Sequence, residues 1–215
     1  MGFDPGFARA ATPLLAATLA ATGSATPLAA PASPTHTPVS APMNTAAASP
    51  QTLAAFEAML SSHDSATLAL EQWCALHHLG TPATITAHSR PMQAVPAQGR
   101  PASHLKPAAH ESIALRHVEL RCGATVLSVA WNWYVPERLT SAMNATLATT
   151  DRPFGKVVAP LGFHRVALAR VAGPAGTCPR DTISTHQAML VLPDGRPLSY
   201  LVECYTPANL HPAAR

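Results

Sequence analysis

The chain has 215 residues, of which 12% are charged, with a formal net charge of +3 and no basic run. That balance excludes a nucleic-acid surface of the usual basic, aromatic-interleaved kind. The length suits one well-buried domain, and no stretch is long and apolar enough to predict a membrane span.

Residues 1–48 are rich in Ala, Thr, Pro and Ser, with too little large apolar surface to offset the entropy of ordering. They read as a disordered leader. Within it, Ala10 to Ala21 has the character of a secretory signal's hydrophobic part, and residues 27–30 (Pro-Leu-Ala-Ala) that of a cleavage site. Met43 offers a different start. Export and a cytoplasmic chain beginning near Met43 both stand as expectations. The folded domain is placed at 49–207, leaving 208–215 as a C-terminal tail.

The domain opens with apolar residues at helical spacing, Leu53, Phe56, Met59 and Leu60, after Ser49 as N-cap. A second start signal at 61–65 leads into a helix over 66–78. Its expected buried stripe is Leu68, Leu70, Trp73, Cys74 and His77, and Gly80 and Pro82 end it. Thr84 to Ala87 reads as a short strand. Residues 91–110, rich in Pro, predict a long structureless loop.

Ser112 to Val135 is strand-forming on both sides of Cys122-Gly123-Ala124-Thr125, which predicts an antiparallel hairpin. Pro136 suits the first position of a helix running from Glu137 to Ala148. Residues 163–171, 184–192 and 198–206 predict three more strands, the last two joined by a Pro-Asp-Gly-Arg-Pro turn at 193–197. Hairpins with helices predict an α+β fold, a single antiparallel sheet with helices packed on one side.

Two strands carry charge where apolar residues belong. Strand residues alternate faces, so Arg116 shares a face with Val118 and Leu120, and Glu203 shares one with Leu201 and Tyr205. A charge on an apolar face is costly unless paired. The pattern predicts either a structural Arg116–Glu203 ion pair or a small polar pocket cut into the sheet.

Common catalytic signatures are absent: no phosphate-cradling glycine loop, no Gly-x-Ser-x-Gly and no His-Glu-x-x-His. His77 and His78 are adjacent and diverge on a helix, and the 11 His form no chelating pair at ligand spacing. No metal site is expected from these spacings. The four Cys lack a Cys-x-x-Cys spacing; they read as buried free thiols, with three disulfide pairings open if the chain is exported.

The ordered set Leu115-Arg116-His-Val-Glu-Leu, the hairpin ending Tyr-Val-Pro136, Asp151-Arg-Pro-Phe-Gly155 and Val202-Glu203-Cys-Tyr-Thr-Pro207 resembles the chorismate lyase (chorismate pyruvate-lyase) family. Ser49-Pro-Gln-Thr-Leu and Asp64-Ser-Ala-Thr-Leu-Ala-Leu resemble its two opening helices. The resemblance spans 49–207. It implies a chorismate lyase-like fold with a small internal cavity and a cofactor-independent carbon–oxygen lyase, a monomer. Such an enzyme removes pyruvate from chorismate to give 4-hydroxybenzoate, for ubiquinone or related aromatic biosynthesis in the cytoplasm. It further implies Arg116 as the carboxylate-binding residue, Glu203 as the polar positioning or acid–base residue, and Phe154, Gly155 and Ala66 as further substrate-binding positions. The chain departs from the family at Trp131-Asn132-Trp133, where many members have an arginine, and at 180–186, where many carry a double arginine. A non-catalytic member of the same fold, binding an aromatic acid and exported if residues 1–30 act as a signal, is the alternative expectation; chorismate is a cytoplasmic metabolite, so localisation separates the two.

Overall fold

The computed structural model describes residues 51–91 and 101–210. The expected leader, Ser49 and the end of the tail lie outside the described residues.

Six strands form one antiparallel sheet: β1 (Ile85–Ser89), β2 (Ala114–Cys122), β3 (Thr125–Tyr134), β4 (His164–Ala172), β5 (Ser184–Val191) and β6 (Pro197–Tyr205), in the spatial order β1-β2-β3-β6-β5-β4. The fold is α+β, as the hairpin pattern implies. Four helices, α1 (Leu53–Ser61), α2 (Ala66–His77), α4 (Ser141–Thr149) and α5 (Phe154–Val158), pack on one face. The short α3 (Pro101–Leu105) lies against the other, so that part of the expected structureless loop is helical; its Leu105 is fully buried beside Trp133, Tyr200 and Val202.

α1 starts at Thr52, whose hydroxyl accepts the Ala55 N–H at 3.1 Å. In α2 the buried stripe is Ala66, Ala69, Leu70, Trp73 and Cys74. Leu68 is 46% exposed, contrary to expectation, because the small residues on either side of it take the inward positions. Phe56, Trp73 and Tyr205 meet ring to ring at 5.2 Å and join both helices to the sheet.

Pro136 opens only a single 3-10 turn rather than the predicted long helix. Leu139 returns to extended backbone and is buried, and the Thr140 hydroxyl then caps α4 by accepting the Met143 N–H at 3.2 Å. The turn presents Arg138, which holds Glu111 through Nε at 2.9 Å and donates to the carbonyls of Leu105 and Pro197. Glu111 is accordingly held at about 2, first by its hydrogen bonds from Arg138 and then by the Ala108 N–H.

The cysteines are paired, not free as expected. Cys74–Cys122 ties α2 to the end of β2, and Cys178–Cys204 ties the β4–β5 loop to β6. Each bridge joins segments far apart in sequence, which is why spacing alone leaves the connectivity open. Packing also runs beyond 207. Asn209 is fully buried, donating to the Leu127 carbonyl at 2.8 Å and accepting from the Trp73 indole at 3.0 Å.

Candidate functional site

The register aligns the inward residues of neighbouring strands. Arg116 pairs with Asn132, and Asn132 with Leu201; Val118 pairs with Ala130, and Ala130 with Glu203. Arg116 and Glu203 are therefore two strands and one inward step apart, roughly 12 Å at Cα from ordinary sheet spacings. Between them and the helices above lies a small cavity of about 50 Å³. Arg116, Glu203, Phe154, Gly155 and Ala66, the five residues expected from the sequence, all line it. Its apolar wall includes Val118, Leu120, Phe163, Leu190 and Leu201.

The α2 and α5 N-termini form the roof. A side chain at Gly155 would place its Cβ 2.6 Å from the Ser65 hydroxyl, so glycine is what allows the two helix starts to approach. Ser65 precedes α2 without making a side-chain cap bond, and its buried Oγ has no hydrogen-bond partner.

Arg116 and Glu203 do not pair with each other. Glu203, 5% exposed at its side chain, is bound by Nη2 of Arg165, and its Oε2 also accepts the Tyr205 hydroxyl at 3.1 Å. Its Oε1 has no hydrogen-bond partner among the described residues. Burial acts to lower the Arg165 pKa, but the Glu203 carboxylate outweighs it and holds the guanidinium above its ordinary range. Burial, reinforced by Glu203, pushes the Tyr205 phenol well up. His186, opposite Glu203 on β5, is pulled down by burial, with Arg165 adding to the effect and Glu203 opposing it.

Arg116 has no carboxylate within ion-pair distance among the described residues. Burial lowers its pKa, yet a guanidinium stays charged at physiological pH. Beside it, Asn132 is 4% exposed; its Oδ1 accepts the Ser199 hydroxyl at 2.5 Å while its Nδ2 has no acceptor among the described residues. Nη1 of Arg165 is likewise buried and unpartnered. Among the described residues, the cavity-lining Asn132 and Arg165 therefore carry buried, unpartnered donors and Glu203 one unpartnered carboxylate oxygen.

Sequence reasoning missed Arg165 because β4 is an edge strand with an inverted pattern. Val166 and Leu168 are 39% and 42% exposed, while Arg165 turns inward. Asn132 drew notice only as a missing arginine. Its inward register beside Arg116 was the available signal.

Among the described residues no group of three or more His, Cys, Asp or Glu is arranged to hold a metal, and no helix is long and apolar enough to cross a membrane. No family model matches the chain. It is 37% identical over 185 residues to the uncharacterized protein y4mC of Sinorhizobium fredii, covering 75% of each chain. Solved structures it resembles include the ligand-binding domain of a putative GntR-family transcriptional regulator from Bordetella bronchiseptica, at 15% identity and TM-score 0.40 over 56% of this chain and 82% of that one. A GntR-family regulator from Enterococcus faecalis is similar at 11% identity and TM-score 0.42, over 60% of this chain and 99% of that one. The C-terminal domain of the histidine utilization repressor from Pseudomonas syringae is similar at 9% identity and TM-score 0.40, over 61% and 97% respectively.

Proposed function

The chain belongs to the family of the Sinorhizobium fredii protein y4mC, and we propose that this member binds a small aromatic carboxylic acid in the cavity between Arg116 and Glu203. One observation carries the reading: Arg116, with no ion pair among the described residues, and the unpartnered Asn132 Nδ2 belong to neighbouring residues lining one end of an apolar cavity. A guanidinium binds a carboxylate through two parallel hydrogen bonds. Glu203 Oε1, at the far end, would accept from a ring hydroxyl, and Phe154, Phe163 and Leu190 would enclose the ring. The cavity is sized for a few water molecules, so a ring enters only as the α2 and α5 ends yield.

A second reading is favoured by the sequence resemblance and by Arg116 and Glu203 lining one cavity. On it the protein cleaves chorismate: the ether bond to the ring breaks, the ring carbon bearing the hydroxyl loses its hydrogen, and the enolpyruvyl methylene gains a proton. The products are 4-hydroxybenzoate and pyruvate. Arg116 would hold the ring carboxylate and Glu203 would position the hydroxyl, with orientation and desolvation as the protein's main contribution. The two disulfides support the exported alternative, and with it the binding reading.

Titration calorimetry of the full chain with 4-hydroxybenzoate, beside Arg116→Met, tests the first reading. Saturable one-to-one binding lost in the folded variant supports it, and no binding by the wild type overturns it. Incubation with chorismate tests the second, which needs equal amounts of both products and their loss in Arg116→Met and Glu203→Gln.

A further inference from the structure

The charges that line the cavity are Arg116, Arg165, Glu203 and Asp64. Asp64 is exposed at its mouth, where one carboxylate oxygen accepts the Arg165 backbone N–H at 3.0 Å. Inside, Arg165 and Glu203 neutralise each other, and their side chains are only 12% and 5% exposed. His186 stands opposite Glu203 on β5, and burial favours its neutral form. One inward charge is left over, that of Arg116. A second carboxylate brought into this space would meet the Glu203 carboxylate, and the cavity lining offers no second unpaired cation among the described residues.

We propose that the Arg165–Glu203 pair makes the cavity selective for acids with a single carboxylate, Glu203 cancelling the Arg165 charge and repelling a second carboxylate. The inference rests on the small-acid reading above and names its ligand class. A neutral hydrogen-bonding group fits the Arg165–Glu203 end, because Nη1 of Arg165 is an unused donor and Oε1 of Glu203 an unused acceptor. A carboxylate at that end is repelled by Glu203, since like charges in a poorly solvated space are strongly unfavourable. Chorismate, with two carboxylates, falls on the disfavoured side.

The test compares 4-hydroxybenzoate with terephthalate, which has the same ring and carries two charges at neutral pH, by calorimetry on the full chain. The wild type is expected to bind 4-hydroxybenzoate at least tenfold more tightly. Glu203→Gln frees the Arg165 charge, so the preference narrows or reverses towards terephthalate. Combining Arg165→Met with Glu203→Gln returns the count to one free cation, and the preference for the single acid returns. Equal or tighter terephthalate binding by the wild type overturns the inference while leaving the small-acid reading in place. So does an unchanged ratio in Glu203→Gln. If neither acid binds, the parent reading falls and this inference with it.

Discussion

Arg165 on β4 pairs with Glu203 on β6 across the intervening strand, and Arg116 on β2 makes no ion pair among the described residues. The cavity's polarity follows from that choice of partner. Removing Arg165 strands a buried carboxylate beside a buried phenol. Arg165→Met is expected to cost about 3–5 kcal/mol in urea unfolding, the range for breaking a buried pair. Adding Glu203→Gln recovers most of the loss, because both members of the pair are then gone.

Arg116 behaves in the opposite way. Its half-buried charge feels Asp151 but makes no ion pair among the described residues, so Arg116→Met is expected to leave thermal stability little changed. Ligand affinity falls about tenfold to a hundredfold, as expected for lost hydrogen bonds to a charged group. Loss of both binding and stability would place Arg116 in the framework of the fold rather than in a ligand site.

The disulfides give a separate prediction. Cys74 and Cys122 are 48 residues apart and Cys178 and Cys204 are 26 apart. Loop-closure entropy assigns them roughly 4 and 3.5 kcal/mol respectively. Protein made in an oxidising compartment is expected to show no alkylatable thiol under denaturing, non-reducing conditions. Replacing either pair by serines lowers the unfolding midpoint, with the larger drop for Cys74 and Cys122.

Burial pulls His117 and His186 below their ordinary value of 6.5. The unfolded chain therefore binds protons in a window below about 6.5 where the folded chain does not, and stability is lost as pH falls through it. Unfolding free energy is expected to be level above neutral pH and to decline below 6.5, with a shallower decline in His186→Gln. Glu111, held at about 2 by Arg138, adds a second loss at lower pH, beginning near the ordinary glutamate value and complete only near 2.

The strands were legible because alternation and turn residues are local signals: the hairpin about Gly123 and the turn at 193–197 lie where the sequence puts them. The inward charges at 116 and 203 were legible for the same reason, and they do line one cavity. Their partners were not. Which cation reaches Glu203 depends on strand order, and β4 reaches its place only through β5. The helix at 101–105 was hidden because a five-residue helix held by Leu105 and Arg138 leaves no periodicity to read. The disulfides were hidden by the same long-range geometry.

The most direct test of ligand binding between Arg116 and Glu203 is a crystal structure of the full chain grown with saturating 4-hydroxybenzoate. The ligand carboxylate is expected on the Arg116 guanidinium and the Asn132 amide, with the hydroxyl at Glu203 and Arg165. A ligand bound elsewhere, or an Arg116 that remains uncontacted while the ligand is bound, would contradict it.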